Sequence, residues 1–271
     1  MIQETSIAFS GSIPMNYEKY LGPLFFEPFA KNISNRVKEL QPSSVLELAC
    51  GTGRLTKYLP FAISPGGRIV ATDINPAMLE YAKHSLRDLE GIDWKVVDAV
   101  ELPFRDSCFD VVVIQFGVMF FSDRHQAFTE ALRVLKPGGT LIFASWDQLR
   151  NNPVARVTDE LVTRYFPMDT PGFYKIPFSY FNEHKIHEEL DEALFHNVSI
   201  ELLKLYGESK TAGEAAMGLL QGSPIHTAIV ERNASVLPVM IEQLTEEIAS
   251  LFGKKNLSIP IQALVTTARK K

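Results

Sequence analysis

Residues 45–54 read VLELACGTGR, an apolar strand with one acid inside it, Glu47, running into a turn that holds Gly51, Thr52 and Gly53. A strand that ends in such a turn directs backbone N–H groups outward. Glycine lets a ligand come close to the main chain, so the turn is a cradle for a polar or anionic group. Two common occupants match it poorly. The dinucleotide fingerprint needs a third glycine three positions after the second, where this chain has Thr56. The phosphate loop needs Gly-Lys-Ser/Thr, and here Gly53 is followed by Arg54 and Leu55.

Around the turn, β-branched runs alternate with helical spacing, the pattern of βαβ units. Strands are expected at 43–49, 68–73, 93–98, 109–116 and 139–146. Between them, Met78, Leu79, Ala82, Leu86 and Leu89 recur at helical intervals behind Asn75 as N-cap and Pro76 at the first helical position. A second helix carries Ala127, Phe128, Ala131, Leu132 and Leu135 on one face, and the KPGG that follows stops it. Beyond Trp146 the pattern changes. Residues 165–181 crowd aromatic residues among Pro167, Pro171 and Pro177, and read as a lid above the sheet. A helix over 182–194, a strand over 196–206, two helices and a last strand over 257–268 follow. Ser235 is expected to cap the second of those helices and Gly253 to stop it. The expected fold is α/β: a Rossmann-like, doubly wound, mostly parallel seven-stranded sheet. Its parts are an N-terminal helical cap (1–40), a cofactor-binding core (41–147), a lid insertion (148–195) and C-terminal strands with inserted helices (196–271).

Two acids sharpen the reading of the turn. Asp73 ends the second strand about twenty positions beyond the glycines, where a carboxylate accepts from ribose hydroxyls. Asp98 ends the third, ahead of an apolar segment suited to flank an adenine ring. Taken alone, each is a cap or a solvated strand end. With VLELACGTGR, VATDINPAMLEYAK, VVDAVELPF, FDVVVIQFGVMFF and LRVLKPGGTLIFASW in order, the chain resembles the class I S-adenosylmethionine-dependent methyltransferases over residues 43–146. The loop after the fourth strand is most similar to the ubiquinone/menaquinone C-methyltransferase branch and the small-molecule enzymes around it. The chain departs from the family pattern in three places. Glu47 stands for the commoner Asp, Ala49 for the first glycine, and Val118–Phe121 is apolar where the quinone enzymes carry polar or basic residues.

The resemblance implies S-adenosyl-L-methionine as cofactor and S-adenosyl-L-homocysteine as product. It implies contacts from Glu47, Ala49, Gly51, Thr52 and Gly53 at the turn, with Glu47 orienting the turn through backbone N–H groups. Asp73, Ile74 and Met78 would meet the ribose and the adenine edge, and Asp98 and Ala99 the adenine. Gln115, Phe116 and Gly117 would pass the methionine portion. No metal site is expected. The acceptor is expected to be small and hydrophobic or aromatic, from the aromatic content of residues 165–181. No catalytic residue stands out; Tyr17 and Tyr20, on a helically spaced N-terminal stretch, and His125 and His226 are the candidates for an acid or base.

Composition bounds the rest. The chain has 271 residues, 46% of them hydrophobic, enough for a full core. Its two cysteines, Cys50 and Cys108, have no pairing or metal spacing, which fits a reduced cytoplasmic setting. A net charge of −5 gives no pull toward nucleic acid. FDVVVIQFGVMFF is interrupted by Asp110 and Gln115, too short and too polar for a membrane span. The stretch MIQETSIAFSGSIPMNYEKY, with Glu4 and no basic n-region or apolar h-region, is not read as a secretory signal. The expected partner is a small-molecule methyl acceptor, and self-association into a homo-oligomer is compatible with the sequence. Two rival readings stay open: a non-catalytic S-adenosylmethionine-binding protein and a nicotinamide-dependent oxidoreductase.

Overall fold

Seven strands form one sheet in a computed structural model that describes residues 13–271. Residues 1–12, most of the stretch read as lacking a secretory signal, lie outside the described residues. The strands are β1 (Ser44–Leu48), β2 (Arg68–Asp73), β3 (Ile92–Val96), β4 (Phe109–Gln115), β5 (Leu135–Trp146), β6 (His196–Thr211) and β7 (Lys255–Arg269). Their spatial order is β3-β2-β1-β4-β5-β7-β6. The first five run parallel; β7 pairs antiparallel with both β5 and β6. Strand order reverses direction between β1 and β4. In open α/β sheets that switch leaves a crevice at the carboxyl ends of the two strands, where ligands bind. Here β1 delivers the glycine turn to that crevice, and β4 delivers Gln115, Phe116 and Gly117.

The helices are α1 (Ile13–Asn16), α2 (Glu27–Leu40), α3 (Pro76–Ser85), α4 (Arg124–Val134), α5 (Pro153–Tyr165), α6 (Glu183–Glu192), α7 (Ala212–Gln221), α8 (Ile225–Asn233) and α9 (Leu237–Phe252). Asn75 caps α3 as its sequence predicts, its side chain accepting from the N–H groups of Ala77 and Met78. Gly253 ends α9 at φ +91°. Ser235 does not cap α9. It sits inside a short 3-10 turn, Ala234–Val236, whose cap is Asn233: the Asn233 carboxamide oxygen accepts from the Ser235 N–H at 3.1 Å and its hydroxyl at 2.7 Å. The glycine turn opens not onto an α-helix but onto a 3-10 segment, Thr56–Phe61, with Pro60 inside it; proline supplies no N–H for the longer α-type bond. β3 ends at Val96, so Asp98 lies past the strand rather than at its last position.

The helically spaced N-terminal stretch that carries Tyr17 and Tyr20 is a π-helix, Tyr17–Phe26, leading directly into α2. It packs against α7 and β6. Glycines make both approaches possible. A Cβ at Gly207 of β6 would fall 1.6 Å from the Leu24 carbonyl oxygen, and one at Gly218 of α7 would fall 2.7 Å from the Tyr20 Cβ. Among the described residues no helix is long and apolar enough to cross a membrane.

Candidate active site

After β1 the backbone takes left-handed conformations at Ala49 (φ +53°), Gly51 (+57°) and Gly53 (+83°). The second acid, rather than Glu47, holds the turn. Asp73 Oδ2 accepts from the Gly51 N–H at 2.8 Å, and Oδ1 accepts from the Asn75 N–H at 2.8 Å. Glu47 is buried within β1, where its Oε2 accepts from the Thr56 hydroxyl at 2.6 Å and its Oε1 has no partner among the described residues. Burial, with the Asp73 charge adding to it and the Thr56 bond opposing, pushes the Glu47 carboxyl up to about 8. Burial also raises Asp73 above the usual carboxylate range, against the two N–H bonds that pull it down.

Ala49, a residue with a side chain where the strained φ favours glycine, is matched across the crevice. A Cβ at Gly117 would stand 2.5 Å from the Ala49 Cβ and 3.1 Å from Ile114 Cγ2. Gly117→Ala is therefore expected to destabilise the protein by roughly 2 kcal/mol through overpacking. In the double variant with Ala49→Gly most of that loss should return, because the nearer clash and the left-handed strain leave together. Chemical denaturation of the four proteins in the cycle measures this. Additive losses would show that the two positions do not communicate.

The π-helix is fastened to the glycine turn by polar and charged side chains far apart along the chain. Thr52 donates to Glu18 Oε2 at 2.6 Å. The Arg54 guanidinium reaches Glu18 Oε1 at 2.5 Å, the Glu18 carbonyl oxygen at 2.8 Å and Glu27 Oε2 at 2.8 Å. Lys57 and the Tyr58 hydroxyl also donate to Glu27. Burial would raise the Glu27 carboxyl, but its bonds from Lys57, Tyr58 and Arg54 prevail and hold it at about 2. Glu18 is raised, its burial outweighing Arg54. Gly22 lets the guanidinium lie along the helix, since a Cβ there would sit 1.8 Å from Arg54 Nη2.

Beside the turn opens a cavity with nine aromatic residues among the thirteen that line it. Tyr17, Phe25 and Phe26 enter from the π-helix; Phe173, Tyr174 and Phe178 from the region after α5. The floor is Phe116 stacked on Trp146, ring centroids 3.8 Å apart and planes 6° from parallel. Phe116 adopts φ +56°, a strained value for a residue with a side chain, and its ring also packs edge-on against Phe26 and Phe29. The Tyr17 phenol is pushed far above its usual range by burial and then by the charges of Glu18 and Asp73. Ser223 closes the far side, and its buried hydroxyl has no partner among the described residues.

Comparison with known proteins bears on what such a crevice serves. Residues 46–143 match the methyltransferase domain family. The ubiquinone/menaquinone biosynthesis C-methyltransferase of Hahella chejuensis is 38% identical over 120 residues, which cover 43% of this chain and 48% of that protein, so the chain matches about half of that relative's length. The demethylmenaquinone methyltransferase of Staphylococcus aureus is 29% identical over 225 residues, 77% of this chain and 89% of that protein. Residues 46–143 thus carry a methyltransferase domain, and the chain is similar to two methyltransferases named for quinones. The same fold appears in phosphoethanolamine N-methyltransferase 2 of Haemonchus contortus, solved with S-adenosyl-L-methionine. That likeness has a TM-score of 0.58 at 16% identity, covering 95% of this chain and 56% of the other.

Of the sequence-predicted positions, Ala49, Gly51, Thr52 and Gly53 share one turn, and Asp73 holds it from the end of β2. Met78 lies behind it, its Cε 3.6 Å from where a Gly51 Cβ would be. Ile74 is 63% exposed beside Asp73, an unusual place for a large apolar side chain. Asp98 is exposed and accepts from the Val100 N–H at 3.1 Å, while Ala99 is buried. Gln115 donates to the Phe26 carbonyl oxygen at 2.7 Å, and its buried Oε1 has no partner among the described residues. Of the four acid–base candidates only Tyr17 reaches the aromatic cavity. Tyr20 packs on α7; His125 is exposed on α4, and His226 is half-buried on α8, outside the lining. Glu18, Glu27 and Arg54 were not anticipated, because pairing across so many residues leaves no local pattern. Ser223 was passed over for the same reason.

Proposed function

We propose that this chain transfers a methyl group from S-adenosyl-L-methionine to a small, flat, largely apolar acceptor held in the aromatic cavity. The observation that carries the proposal is the placement of that cavity: it shares Phe116 with the switch-point crevice, one residue from Gly117 and its contact with the glycine turn. The crevice fits the cofactor by its own chemistry. The Asp73 carboxylate would hold the ribose. Ile74, Met78, Asp98 and Ala99 would flank the adenine, and the unpartnered oxygen of Gln115 would take a hydrogen bond from the amino-acid portion. The unpartnered Oε1 of Glu47 completes the set. When bound, the sulfonium supplies a methyl group that is already activated.

The chain's own part is then positioning and exclusion of water. Phe116 and Trp146 give a flat floor, and Phe26, stacked on Tyr17 at 4.8 Å, gives an aromatic wall that adjoins it. Holding a nucleophile in line within a dry pocket is worth several orders of magnitude in rate without any proton transfer. Both lining phenols, Tyr17 and Tyr174, have their pKa values raised by burial, so each stays a neutral hydroxyl. Neither serves as a base near neutral pH, and the acceptor must bring its own nucleophilic atom. The names of the two quinone-modifying relatives make a reduced quinone ring one acceptor of this shape.

Calorimetric titration with S-adenosyl-L-methionine and S-adenosyl-L-homocysteine, with NAD as control, followed by a methyl-transfer screen over hydroxylated aromatic compounds, tests the proposal. One-site binding of the first two and turnover on a flat acceptor support it. Tight binding with no turnover would favour a non-catalytic binder, and NAD binding alone an oxidoreductase.

A further inference from the structure

Ser223 stands in the turn between α7 and α8, at the far wall of the aromatic cavity, and is 5% exposed. Its backbone is committed: the carbonyl oxygen accepts from the His226 N–H at 3.0 Å, and the neighbouring Gly222 N–H donates to the Gly218 carbonyl oxygen at 2.8 Å. The turn is also pinned to the π-helix side, where a Cβ at Gly222 would fall 3.2 Å from the Tyr17 N. The side chain is not committed. Ser223 is the only lining residue whose buried polar atom has no hydrogen-bond partner among the described residues. Buried hydroxyls are nearly always paired, because an unpaired one loses its water without compensation. A trapped water is a poor answer here, since it needs two to four polar partners and these walls are aromatic.

We infer that Ser223 is the polar recognition point of the acceptor site, and that the acceptor is a planar aromatic ring bearing a neutral oxygen substituent that pairs with the Ser223 hydroxyl. This rests on the reading of the cavity as the acceptor site. The Ser223 hydroxyl can donate to a carbonyl or accept from a phenol. Among the described residues no carboxylate or ammonium lines the cavity, so a charged substituent would lie unpaired. A site that leaves its own hydroxyl unsatisfied discriminates against a ring that lacks the matching oxygen. Ser223 therefore sets both which rings are accepted and which way round they lie.

The test compares 2-naphthol with 2-methylnaphthalene, the same ring with and without the oxygen, by equilibrium dialysis with S-adenosyl-L-homocysteine present. Wild type should bind the naphthol at least tenfold more tightly. Ser223→Ala should reduce that preference to within about threefold and raise the melting temperature of the ligand-free protein, because truncation removes an unpaired buried hydroxyl. If both probes bind and the variant keeps the preference, or wild type shows none, the assignment of Ser223 is overturned while the cavity stands as the acceptor site. A lowered melting temperature would also overturn it, by showing the hydroxyl to be structural. If neither probe binds wild type, the reading of the cavity fails and the inference fails with it.

Discussion

Asp73→Asn is expected to weaken S-adenosyl-L-methionine binding by roughly 100-fold, equivalent to about 3 kcal/mol, while leaving most of the folded stability in place. The two effects separate because of where the carboxylate sits. It is 8% exposed, and its pKa is raised, so its burial outweighs the two N–H bonds it accepts from Gly51 and Asn75. The charge therefore stabilises the empty fold little. An asparagine keeps the shape but turns an N–H toward one of those backbone donors and can no longer receive two ribose hydroxyls as an ion. Charge-assisted bonds of that kind are worth about 1.5–3 kcal/mol each. Calorimetry of the variant beside its thermal unfolding measures both quantities. Affinity within about threefold of wild type would remove Asp73 from the cofactor site. Unfolding of the variant would instead show that the Gly51 bond carries the core.

Glu47→Gln should remove a pH dependence of stability. The Glu47 carboxyl is pushed to about 8 in the folded chain against an ordinary value of 4.5. An acid whose pKa is raised on folding binds its proton more tightly in the native state, so its contribution is fully present below pH 4.5 and is lost as pH rises toward 8. The wild-type thermal midpoint should accordingly fall across this interval. The glutamine variant, which keeps an oxygen for the Thr56 hydroxyl, should hold nearly level and exceed wild type at pH 8 by a few kcal/mol. Parallel curves for the two proteins would place the Glu47 pKa in the ordinary range.

Most of the sheet was legible because its signals are local. Each parallel strand is a short β-branched run, and Asn75-Pro76 marks the start of α3 within three residues. The glycines marked the turn itself. The sequence also marked Asp73, though as a ribose contact; the part it plays in holding Gly51 became visible only with β1 and β2 side by side. Ser235 misled for a local reason: Asn233, two residues earlier, offers a better acceptor and takes the cap of a 3-10 turn. What no local pattern could supply was pairing at a distance. The bond from Thr52 to Glu18 spans 34 residues. The aromatic cavity likewise has walls from residues 17–26, 116–146, 173–178 and 219–223.

Those four stretches are unevenly placed along the chain. Only Phe116, Phe120 and Trp146 belong to or adjoin the region that matches the methyltransferase domain family. The other walls come from outside that region. Substitutions at Leu21, Phe173 or Leu219 can reshape the proposed acceptor site without touching the glycine turn. A lineage built this way can drift from one acceptor to another through mutations that leave the donor half intact, and its members can share a methyl source while sharing no substrate.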